Sequence, residues 1–155
     1  LFKRMNKQER HIITTTCYGH FLSHLNMLVF PAVLLPLAEH LNFDIASVLS
    51  LSFWMYLLFG CTALLWGMAA DYWGAGILMV VYFMGAGISG LAAAVWFYDP
   101  AKFTICLGAL GFFCGIYHPT GLGLISKGIK RVSVAWDTMV SLGIWGLLRL
   151  PSLQE

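Results

Sequence analysis

The sequence predicts an all-α, polytopic membrane helical bundle, and three observations carry that class. Of 155 residues, 59% are hydrophobic and only 10% are charged, and the mean hydropathy is +0.79. The apolar residues gather into stretches of about 20, the length a helix needs to cross hydrocarbon. Short polar or glycine- and proline-bearing breaks separate them, among them "AEHLNFD", "AADYWGAG" and "FYDPAK", as in a succession of hairpin-connected helices. A soluble domain of this length needs a charged surface that 9 basic and 7 acidic residues cannot supply, so the partner is a lipid bilayer. The net charge of +2 is confined to loops and ends and does not fit a nucleic-acid partner.

Each element follows in order. Residues 1–17 form a basic N-terminal segment whose Lys3, Arg4, Lys7 and Arg10 face anionic headgroups. The first span covers residues 18–37, with His20, His24 and Asn26 in its first half and Pro31 and Pro36 in its second. It is retained rather than cleaved as a leader, because no convincing small-residue cleavage site is present. Glu39, His40 and Asp44 make a polar turn, and a second, uncharged span occupies 46–67. Asp71 lies in the next loop, a third span covers 77–97, and Asp99 with Pro100 closes it as a turn. The fourth span extends over 103–126, so that 18–131 is a four-helix unit. Residues 132–155 read as a fifth helix and a polar tail, although Asp137 would cost about 2.5–3.5 kcal/mol at the centre of a membrane helix. Lys3, Arg4, Lys7, Arg10, Lys127, Lys130 and Arg131 fall on one side and Lys102 on the other, which places the N-terminus in the cytoplasm.

The candidate functional residues are polar groups inside these spans. In "CGIYHPTGLG", Pro119 removes a backbone donor and bends or breaks its helix, and His118 sits beside the break. A histidine there has reason to face protein or water, where it binds a solute or exchanges a proton near neutral pH. The same residues also fit a histidine that only holds the kink. His20 and His24, one helical turn apart, share a face and join His118 on the candidate substrate or proton pathway. No carboxylate or cysteine set completes a metal site around them, so neither metal nor cofactor is expected. Gly111 and Gly115 form a G-x-x-x-G pair for close helix packing, and with Pro119 they are candidate hinge or packing positions. Cys17, Cys61, Cys106 and Cys114 lie in or beside apolar segments and are expected as free thiols. Nucleophile elbows, P-loops, dinucleotide fingerprints and H-E-x-x-H are all missing from the sequence, and no enzymatic chemistry is predicted.

Gly67, Asp71 and Gly74 in "GMAADYWGAG" resemble the loop signature of the major facilitator superfamily. Tyr72, Ala75 and Gly76 stand where that signature usually has basic residues, which leaves Asp71 to cap a neighbouring helix rather than to lock a charged loop. The histidine-bearing first span followed by "PAVLLPL", and "YHPTGLGLIS" in the fourth, resemble the fosmidomycin-resistance type of that superfamily, over residues 11–131. The resemblance implies the first four to five helices of a major-facilitator-type fold and a multi-pass inner-membrane protein. It also implies proton-coupled export of a small solute or drug, with a C-terminal transporter half as the missing partner. On this reading the chain is an N-terminal fragment. The alternatives are a small haem-binding membrane protein using His20 and His118, a small dimeric multidrug carrier, and an inactive transporter remnant.

Overall fold

A computed structural model describes residues 6–130 together with positions 132, 135–137 and 140. The first helix, α1 (Lys7–Leu41), is opened by a capping box. Asn6 accepts from the Glu9 backbone N–H at 2.8 Å, and the Glu9 carboxylate accepts in return from the Asn6 backbone N–H at 3.1 Å. At 35 residues α1 is about 50 Å long, more than the roughly 30 Å of hydrocarbon, so it starts well before the expected span and its ends reach beyond the apolar layer. It passes through Pro31 and Pro36 and ends at Asn42, which takes the left-handed conformation (φ 54°) that closes many helices. Glu39 and His40 therefore belong to the last helical turn. The turn itself is formed by Asn42, Phe43 and Asp44, and Asp44 caps the next helix through the Ser47 N–H at 3.0 Å.

The predicted second span is a broken helix made of α2 (Ile45–Leu51), α3 (Phe53–Cys61) and α4 (Ala63–Trp73). At each break a hydroxyl bonds back to the preceding turn: Ser52 to the Leu49 carbonyl at 2.8 Å, and Thr62 to the Leu58 carbonyl at 2.6 Å. Such back-bonding bends helices, and the axis turns by 47° between Cys61 and Ala63. Helix α4 then continues to Trp73. This corrects the expected loop: Gly67 and Asp71 are helical, and the stop is Gly74, whose φ of 90° is readily taken only by glycine.

Helix α5 (Ala75–Val95) is the third span. The fourth comprises α6 (Pro100–Cys114) and α7 (Tyr117–Gly128), separated by a tight turn at Gly115 and Ile116. Asp99 caps α6 by accepting the Lys102 N–H at 3.1 Å, with Pro100 in the first turn. Outside the Asn6 cap, the short turns that join these helices and the non-helical residues 129–130, the described residues are helical and contain no strand. Three helices are long and apolar enough to cross a membrane, or four if the bent α2–α4 unit counts as one. Most of the expected fifth helix and tail lies outside the described residues. Val132, Ala135, Trp136, Asp137 and Val140 are helical, with Ala135 buried and Asp137 exposed.

The fourth span is the hub. Helix α3 packs on α6, α1 and α4 pack on α7, and α5 runs along both. Met55, Leu107, Cys114, Ile116, Tyr117 and Ile125 are buried at these seams, while Leu64, Leu91 and Ile105 point outward, each more than 70% exposed. Close approach to α3 depends on the predicted glycine pair. A Cβ on Gly111 would overlap the Met55 carbonyl, and one on Gly115 would lie 2.6 Å from Thr62 Oγ1. The bend at Thr62 thus lies directly against the glycine at the end of α6.

Candidate functional site

The site begins with a hydrogen-bond problem created by the kink. Pro119 has no N–H to give the Gly115 carbonyl one turn earlier. The backbone answers by tightening: Ile116 N–H bonds the Phe113 carbonyl at 3.1 Å, a three-residue step that leaves the Phe112 carbonyl without its helical donor. Trp66 on α4 supplies the missing donor, its Nε1–H reaching Phe112 O at 3.0 Å. Just past the break, Thr120 Oγ1 bonds the Ile116 carbonyl at 2.7 Å. Pro119 itself packs toward Gly67, where a Cβ would lie 3.7 Å from the Pro119 Cβ.

The same break turns Tyr117 and His118 toward α1. Tyr117 is buried and donates its hydroxyl to the Thr16 carbonyl at 2.7 Å, and Tyr82 on α5 donates to the Gly19 carbonyl at 3.0 Å. Gly19 provides the notch, since a Cβ there would sit 2.5 Å from the Tyr117 ring. Two tyrosines on different helices therefore grip α1 at the turn that immediately precedes His20.

That grip assembles three of the five histidines. His20 and His24 lie 4.6 Å apart by ring centroid, with Nε2 to Nε2 at 3.1 Å, one donating and the other accepting according to tautomer. His118 stands 5.9 Å from His24 and 6.3 Å from His20, edge to face with both. Phe59 of α3 closes one side of His118 at 5.7 Å. All three histidines are half-buried, while His11 and His40 are exposed elsewhere. Next to His24, Ser23 is buried, and its Oγ has no hydrogen-bond partner among the described residues.

The cluster can take up, pass and release protons and can hydrogen-bond a polar solute. Among the described residues no three His, Cys, Asp or Glu side chains are arranged to hold a metal ion, and all four cysteines are free. Asn26 lies on another side of α1 and makes a long hydrogen bond to the Cys114 sulfur at 3.6 Å. It borders a cavity of about 630 Å³ between α1, α5 and α6, lined largely by apolar side chains such as Phe30, Leu37, Phe97 and Phe103. His20, His24 and His118 are not part of its lining, and apart from Asn26 and His40 it has few polar groups with which to orient a solute.

The remaining predicted positions fall at one end of the bundle. Asp71 pairs with Lys127 Nζ at 3.2 Å, both exposed, so it bridges α4 to the last turn of α7 through side chains rather than capping a helix. Glu9 also accepts from the Lys130 backbone N–H at 3.3 Å, which places the start of α1 and the end of α7 together. The Asp99–Lys102 pair belongs to the opposite end, where α5 passes into α6. Sequence reasoning missed Trp66, Tyr82, Tyr117, Thr16 and Gly19. For the three aromatic residues the only signal was a polar tip on a ring within an apolar span, a group that needs a partner when buried; Thr16 and Gly19 take part through backbone carbonyls, which carry no signal in the sequence. The chain matches no protein-family model, no curated protein and no solved structure.

Proposed function

We propose that this chain is part of a membrane transporter of the major facilitator type that moves a small solute by proton coupling. His118, His20 and His24 line its pathway. One observation carries the reading: histidines about a hundred residues apart in sequence come together on two apolar helices at a kink. Intramembrane ionisable groups are costly and concentrate on ion and substrate pathways. An imidazole accepts a proton at one nitrogen and releases it from the other, so the 3.1 Å contact between His20 and His24 is a step along which a proton can pass. His118, on the other side of the α1–α7 seam, would link that step to movement of α7.

In this reading the four spans form one wall of the pathway and a second helical half closes it, with alternating access by rocking between halves. The clustering of Lys7, Arg10, Lys127 and Lys130 near one end supports a cytoplasmic N-terminus in an inner membrane. The test is flux of a panel of small solutes into liposomes carrying the full-length gene product, with and without an imposed proton gradient. Gradient-driven flux that falls at least tenfold in His118→Gln supports the reading. Flux that ignores both the gradient and the substitution overturns it.

A further inference from the structure

We propose that Trp66 is a positioning residue for the histidine cluster, acting through the Phe112 carbonyl. This rests on the reading of the histidines as the transport pathway. The Phe112 carbonyl has two available donors, and they imply two shapes of the fourth span. If Ile116 N–H bonds Phe112, one residue further back than its present partner, the span straightens toward a regular α-helix. If Ile116 bonds Phe113, as observed at 3.1 Å, the turn stays tight and Phe112 needs a donor from elsewhere. Trp66 Nε1–H provides that donor at 3.0 Å.

In an apolar surrounding an unpaired carbonyl is too costly to persist, so the indole selects the tight turn. The tight turn in turn fixes the direction in which Tyr117 and His118 leave the break toward Thr16, His20 and His24. The indole ring also lies against Phe112, with centroids 4.9 Å apart, and the neighbouring bend at Thr62 packs so close to Gly115 that a Cβ there would lie 2.6 Å from the Thr62 hydroxyl. The bend of the second span and the kink of the fourth are therefore joined at one place. Loss of the indole hydrogen leaves the ring contact intact but gives Phe112 back to Ile116, which rotates His118 away from α1.

The experiment replaces Trp66 with 3-benzothienylalanine, which keeps the bicyclic shape and lacks the N–H, in the full-length protein in lipid. 5-Fluorotryptophan, which retains the N–H, is the control, and Trp66→Phe is a second test of the lost donor. Imidazole ring resonances are read by NMR, with exposed His11 and His40 as internal references, alongside maximal flux and half-saturating solute concentration. The expected result is a shift of the His20, His24 and His118 resonances without the donor, no shift in the control, and still references. Maximal flux falls by roughly 3- to 10-fold, the worth of one hydrogen bond, at little change in half-saturation. Unmoved cluster resonances in both donor-free proteins overturn the proposal and leave Trp66 a packing residue. Moved resonances in a protein that transports nothing uphold the positioning role and remove the transport reading instead.

Discussion

Adding one methyl group at Gly111 tests the packing that sets the fourth span in place. Gly111→Ala puts a Cβ into the Met55 carbonyl, and because that atom is helix backbone it cannot swing away as a side chain would. Helices α3 and α6 must separate instead, and overpacking of this kind costs about 1–3 kcal/mol. Alanine recovers about 1 kcal/mol of helix propensity over glycine, which obscures the cost if the variant is compared with wild type alone. Gly108→Ala supplies the reference: it lies three residues earlier on the same helix, and its Cβ would meet Trp54 Cβ only at 3.5 Å, an ordinary contact. The propensity gain cancels between the two, so Gly111→Ala should be less stable than Gly108→Ala by about 1–3 kcal/mol. Equilibrium unfolding in detergent micelles, read by tryptophan fluorescence, measures the difference. Equal stabilities would refute the close α3–α6 contact.

Two further outcomes follow from single bonds. Tyr117→Phe removes the hydroxyl that reaches Thr16 and should lower stability by about 0.5–1.5 kcal/mol in the same unfolding assay. Asp99 is held below the ordinary carboxyl range, first by the Lys102 backbone N–H and then by the Lys102 ammonium. Its folded value is depressed, so its contribution is present above the unfolded value of about 3.9 and is lost as pH falls through the lower folded value. Asparagine still caps a helix but carries no charge. Asp99→Asn should therefore flatten the loss of thermal stability on acidification below about pH 4, and an unchanged acid limb would contradict the assignment.

Much of the helical layout was legible because lipid makes the pattern stark: long apolar runs, few charges, glycine or asparagine at the stops. The third and fourth spans lie within a few residues of their expected limits. The Asp71 loop was misplaced because polarity was taken as its mark, whereas an exposed aspartate paired with Lys127 is compatible with a helix end, and the stop belonged to Gly74. The break at Thr62 was invisible, since a hydroxyl that bonds its own helix looks the same in sequence as one that does not.

His118, His20 and His24 were each legible as polar groups out of place, and the structure brings them together. What assembles them was not legible. Tyr82 and Tyr117 count among the hydrophobic residues of the composition, and their targets are backbone carbonyls that no residue type announces. Trp66 lies near the end of a predicted span, where an indole suits headgroup depth, yet it is half-buried and bonded across helices. Helix existence is a local property of the chain. The rotation of one helix against another depends on contacts between distant residues, and the cluster depends on that rotation.

The most direct test of the account is ring-to-ring contact among the histidines in a lipid bilayer. Solid-state NMR with labelled imidazoles should give cross-peaks linking His118 to both His20 and His24, as centroid separations of 6.3 and 5.9 Å require, with His11 and His40 apart from all three. A spectrum in which His118 contacts neither histidine of α1 would contradict the cluster, and with it the proposed pathway.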